Sequence, residues 1–151
     1  MTELVDQVWR PGRWARAGAW ALGGVGGLVA LAGLAAAVGG EVRTGLVTAA
    51  VFGLFPVVAW RWGTHPQLAA TDDGVEARNP LRTALVPWAD VERCVPSSLG
   101  LVIERREGTG RPVVAWAVQK PNVARWLGRR TRADEVAAAL EAQAAARAGR
   151  R

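Results

Sequence analysis

Two uncharged, mostly apolar runs stand close together near the start of the chain, residues 17–40 and 44–60, parted only by Glu41-Val42-Arg43. A helix rises about 1.5 Å per residue, so about 20 such residues cross the hydrocarbon core of a bilayer. The first run is long enough to span with tilt, and the second sits at the short end of the spanning range. A soluble domain spreads its apolar residues along the sequence, whereas here they are massed in one block. The pattern predicts a two-helix transmembrane hairpin over residues 17–62, after a cytoplasmic or interfacial segment, residues 1–16. Residues 63–146 then hold one small domain, followed by a basic tail at 147–151.

Within the first run Gly26, Ala30, Gly33, Ala37 and Gly40 recur at alternating spacings of four and three, and Gly45, Ala49 and Gly53 follow in the second. Each set occupies one face of a helix. Lipid gives no hydrophobic drive between helices, so close backbone approach across small residues supplies the packing. The stripes suit packing within the hairpin, the favoured reading, or a homo-oligomer through the same face. The run Gly23-Gly24-Val25-Gly26-Gly27 has no strand before it and lies in the span, which excludes a phosphate loop.

The formal charge is +6, nearly all of the positive side from arginine. Arg10, Arg13 and Arg16 precede the first span and Arg61 follows the second, against Arg43 alone in the connection. Positive-inside logic therefore places both termini, and the domain, on the cytoplasmic side of a multi-pass plasma-membrane protein. Trp9, Trp14 and Trp20 around the start of the first span and Trp60 and Trp62 around the end of the second suit the head-group layer, where an apolar ring keeps its N–H wet. The apolar run exceeds a signal-peptide core, and a second follows it at once. In this setting the basic balance points to anionic lipid, and no nucleic-acid partner is expected. One cysteine, Cys94, and one histidine, His65, leave no disulfide framework or Cys/His metal site within a chain.

From residue 63 the pattern changes to short strands and tight turns. Thr71-Asp72-Asp73-Gly74 joins strands at residues 67–70 and 75–78, with glycine where a left-handed backbone is called for. Asn79-Pro80 makes a second turn, Leu85-Val86-Pro87-Trp88 ends a strand, and further strands fall at residues 91–95, 99–106 and 113–118. Five or six strands with short connections predict an antiparallel meander, here in an α+β domain closed by a helix. That helix starts at Thr131 as N-cap, with Asp134 and Glu135 in its first turn, and Val136 and Leu140 share its covering face. Trp88 and Trp116 are the expected large core residues, and residues 63–151 read as a unit that folds without the anchor.

Four runs carry a resemblance: Leu68-Ala69-Ala70-Thr71-Asp72-Asp73-Gly74-Val75, Arg78-Asn79-Pro80-Leu81-Arg82, Val86-Pro87-Trp88-Ala89-Asp90-Val91 and Ala115-Trp116-Ala117-Val118-Gln119. They resemble actinobacterial membrane proteins with a bacterial pleckstrin-homology (PH)-like domain, of the low-molecular-weight protein antigen 6 type. The likeness covers residues 63–140 and extends to the two-helix anchor. It implies a curled antiparallel sheet capped by a C-terminal helix, with fewer strands here than the seven of the eukaryotic fold, and brings no catalytic residues.

One stretch rises above scaffolding. Lys120, Arg125, Arg129, Arg130 and Arg132 occur with no acid among them, beside Trp126 and Leu127. With residues 122–127 as a helical turn, Val123, Trp126 and Leu127 fall on one side. Amphipathic basic segments suit an anionic membrane surface, which makes Lys120, Arg125, Trp126, Arg129, Arg130 and Arg132 candidate lipid contacts. The competing reading is a solvated connector whose tryptophan plugs the sheet. No nucleophile–base pair, cofactor loop or carboxylate cleft is legible, so no enzyme and no cofactor are expected. Two functions remain: an adaptor that binds a protein partner through a sheet edge or groove, or a module that binds anionic head groups of the inner leaflet.

Overall fold

The computed structural model describes residues 7–149. Residues 13–65 form one unit, a pair of helices, α1 (Arg13–Val38) and α2 (Val42–Thr64). Both are long and apolar enough to cross a membrane. Their large apolar side chains face outward: Leu28 is 69% exposed and Leu54 62%. The buried positions are Gly23, Gly26, Gly33, Gly45, Ala59 and Gly63. A soluble helix pair does the reverse, burying its large residues.

The small residues are used within the chain. A Cβ on Gly33 would stand 2.8 Å from the Gly45 carbonyl oxygen and 2.9 Å from the Ala49 nitrogen, so nothing larger than glycine fits there. Pro56 lies inside α2 and frees the Phe52 carbonyl, which faces Gly26. The connection is tighter than the charges suggest: Gly40 turns the chain at φ 109°, and Arg43 already lies within α2.

The second unit has seven strands among its described residues. Strands β1 (Val8–Trp9), β2 (Gln67–Ala70), β3 (Gly74–Arg78) and β4 (Thr83–Pro87) form one antiparallel sheet in that order. A single 3-10 turn, Trp88–Asp90, leads to the second sheet, β5 (Val91–Pro96), β6 (Leu101–Arg105) and β7 (Val113–Ala115). A five-residue helix, α3 (Asn122–Trp126), precedes the closing helix α4 (Arg132–Ala148). Leu68, Val75, Val86, Leu101, Ile103 and Leu140 have no exposed surface and join both sheets and α4 in one core. Helix α4 contributes Ala133, Val136, Ala137, Leu140 and Ala144 at helical spacing, and packs on β5 and the 3-10 turn. Gln143 is buried on the same face, its carboxamide without a hydrogen-bond partner among the described residues.

Several details depart from the sequence reading. The strand absent from the count is β1, which lies before the helical pair: Val8 pairs with Ala69 and Trp9 with Leu68, and the Ala70 N–H donates to the Gln7 carbonyl at 3.0 Å. Trp9 is buried in the core, so it is no interfacial residue, and residues 63–151 alone lack an edge strand of the sheet. Trp88 is a core residue, 6% exposed, with its indole N–H donating to the Thr71 carbonyl at 2.8 Å. Trp116 is 38% exposed, because β7 stops at Ala115 and the buried positions that follow are Ala117 and Val118. Gly74 keeps a negative φ; it is required for close approach, since a Cβ there would meet Pro87 Cα at 2.8 Å. Arg147 belongs to α4, with its guanidinium 5.2 Å above the Trp88 ring and 3.5 Å from the Asp72 carboxylate, while Arg150 and Arg151 lie outside the described residues.

Candidate functional site

The basic segment runs from the end of β7 to the start of α4. Its first member is tied down: the Lys120 N–H donates to the Ser97 carbonyl at 2.9 Å, and its ammonium lies 2.8 Å from Asp134 Oδ1. Asp134 in turn accepts from the Thr131 N–H at 2.7 Å and the Thr131 hydroxyl at 2.8 Å, which fixes the N-cap of α4. The Lys120 hydrogen bond is the largest influence on the Asp134 carboxyl, and with the Thr131 bonds it outweighs burial and lowers the pKa to about 2. Lys120 thus serves the helix cap, and its side chain is only 14% exposed.

The rest of the segment is open. Helix α3 ends where Gly128 takes φ 61° and the Arg129 N–H reaches back to the Ala124 carbonyl at 2.9 Å, a closure that glycine favours. Trp126 is 80% exposed, Val123 63% and Leu127 59%, so the tryptophan does not plug the sheet. Arg129, Arg130 and Arg132 are exposed beside them. The side chain of Arg125 lies outside the described residues. The segment thus leaves apolar and basic side chains exposed together in one short stretch of sequence.

A second feature escaped the sequence reading. Two edge strands, β4 of one sheet and β7 of the other, border a groove of about 580 Å³. Arg82, Arg105 and Arg111 line it together with Leu85 and Trp116, and no acidic residue does. Arg105 is spoken for by Asp90 at 2.7 Å. Asn79, legible only as a turn residue, bridges the sheets at one end: its amide nitrogen donates to the Val114 carbonyl at 2.7 Å, and its oxygen accepts from the Trp116 N–H at 2.9 Å. Nothing in the spacing of Asn79, Leu85, Arg111 and Trp116 announces that they meet, since they are brought together by the packing of two sheets.

Residues 65–149 match the family described as bacterial PH domain. The chain belongs to that family. No curated protein and no solved structure matches it. The PH domain here carries its basic segment between β7 and the capping helix, and takes its first strand from residues that precede the helical pair in sequence. No three His, Cys, Asp or Glu side chains converge on a metal-sized site among the described residues. Cys94 is buried, and its thiol is pushed up to about 12, first by burial and then by Glu141 and Glu104. That is an inert thiol rather than a nucleophile.

Proposed function

We propose that this chain is a membrane-anchored, non-enzymatic PH module whose basic segment rests on the anionic surface of the bilayer that α1 and α2 cross. The observation that carries the reading is the exposed Trp126 stretch, an indole 80% exposed with exposed Val123 and Leu127 in the same short segment and exposed Arg129, Arg130 and Arg132 following in sequence. Each arginine near an anionic surface contributes on the order of 1 kcal/mol. The tether raises the effective lipid concentration, so weak contacts suffice. Lys120, held by Asp134, stays out of the contact.

Chain connectivity supports the topology. Strand β1 ends before α1 and β2 starts after α2, yet the two pair in one sheet. That pairing supports a hairpin with both ends on one face of the membrane, and the arginine bias favours the cytoplasmic face. The order of anchor and domain also supports the resemblance to the antigen 6 type. A second reading, binding of a protein partner, is favoured by the groove between β4 and β7.

The test uses the full chain in lipid nanodiscs, with hydrogen exchange followed over residues 122–132. Exchange should slow in phosphatidylglycerol discs relative to phosphatidylcholine discs. Changing Arg129, Arg130 and Arg132 to Gln should abolish the difference. Equal exchange in both lipids would remove the lipid-contact reading.

A further inference from the structure

We propose that the groove between β4 and β7 receives an extended, acidic peptide segment of a partner protein, which adds as a strand to the free edge of β4. The inference rests on the partner-binding reading of the module. It begins with the backbone. The Asn79 N–H donates to the Arg82 carbonyl at 2.8 Å, which makes Asn79 and Arg82 the first bonded pair of the β3–β4 ladder. In an antiparallel ladder bonded and non-bonded pairs alternate. With the register Ala77↔Ala84 and Val75↔Val86, those two pairs face inward, and Thr83 and Leu85 turn their N–H and C=O groups to the outer edge.

Of the other edge strands, β1 offers only two residues, Val8–Trp9, and β5 and β7 are engaged. The outer side of β5 is covered by α4, where the Glu141 carboxylate accepts from the Cys94 N–H at 2.7 Å. On β7, the Asn79 side chain already occupies the Val114 carbonyl and the Trp116 N–H, as one amide of an added strand would. Thr83 and Leu85 have no such partner among the described residues. Exposed edge groups of this kind are a template for another strand.

Side chains set the chemistry of the occupant. Leu85, 48% exposed, and Trp116, 38% exposed, give apolar footing for alternate residues of an added strand. Arg82 and Arg111 are exposed in the lining, and neither has a carboxylate partner among the described residues. An acidic segment neutralises both. A second copy pairing β4 with β4 would bring another Arg82 beside them. An anionic lipid head group would satisfy the arginines but leave the row of backbone donors and acceptors unused.

The experiment uses the detergent-solubilised full chain and an acetylated hexapeptide, Val-Asp-Val-Glu-Val-Asp, with a Lys-for-acid counterpart as control. The acidic peptide should bind at least tenfold more tightly than the basic one and slow exchange of the Thr83 and Leu85 amides. Leu85→Pro removes one outward N–H at an edge position where proline is tolerated, and should cost about tenfold or more in affinity. Arg82→Glu with Arg111→Glu should cost as much without touching the backbone. Unchanged binding by Leu85→Pro, or no amide protection at millimolar peptide, overturns strand addition. So does phosphatidylglycerol displacing the peptide while leaving those amides unprotected. Photo-crosslinking in native membranes from Leu85 and from Glu92, exposed on β5 outside the groove lining, separates the two levels. An adduct with a partner protein at 92 alone overturns the groove but keeps partner binding, whereas none at either site ends both.

Discussion

Replacing Trp9 by Ala tests whether the domain is assembled across the helical hairpin. Trp9 is 9% exposed and sits with Leu68, which has no exposed surface, in the core. Truncating a buried tryptophan costs about 3–5 kcal/mol, a large share of the stability of a small domain. The loss has a local reporter, because the Ala70 N–H donates to the Gln7 carbonyl next to β1. If β1 opens, that amide should exchange roughly two to four orders of magnitude faster, the factor such an energy implies. Hydrogen exchange of the full chain in nanodiscs, read at Ala70 and at Ile103 as a core control, is the assay. A truncated chain starting at residue 66 should show the same weakening. Unchanged protection of Ala70 and an unchanged melting temperature for both would refute the claim that residues before α1 complete the domain.

Three further outcomes follow from the packing. Trp88→Ala should cost about 3–5 kcal/mol and Trp116→Ala under about 1.5 kcal/mol by thermal melting, because the first is core and the second sits on the groove lip. Gln143→Met should raise stability by about 1–2 kcal/mol and the melting temperature by several degrees, since it removes a buried carboxamide that lacks partners. The Asp134 pKa falls from 3.8 unfolded to about 2 folded, so its stabilisation is complete above the unfolded value and lost as pH drops through the folded one. Acid titration of Asp134→Asn should therefore show a flatter loss of stability between about pH 4 and 2 than the parent.

How far the sequence reaches can be followed residue by residue. The hairpin is legible because bilayer thickness demands long apolar runs, and its contact face because glycine spacing is helical. Strands β2 to β7 and α4 are legible because Thr71–Gly74, Asn79-Pro80 and Thr131 are local turn and cap signals. Strand β1 is not, since two residues beside arginines and a tryptophan carry no strand periodicity, and their partner lies across the whole hairpin. The misplacement of Trp116 has a similar cause: the end of β7 is set by where the chain must leave the sheet, which alternation does not report. At the candidate site, sequence spacing groups Trp126 with Leu127 but cannot show that Lys120 is captured by Asp134, fourteen residues on. The groove is wholly a product of sheet packing.

The proposed contact of the Trp126 stretch with lipid is tested most directly by a nitroxide on a Leu127→Cys variant of the full chain. Selective labelling at neutral pH is feasible because Cys94 is buried with its thiol pKa raised to about 12. In phosphatidylglycerol nanodiscs the label should gain oxygen accessibility and lose access to a water-soluble nickel chelate. In phosphatidylcholine discs it should remain in water. A label equally open to the nickel chelate in both bilayers would contradict the account that this PH domain rests on the membrane through its basic segment.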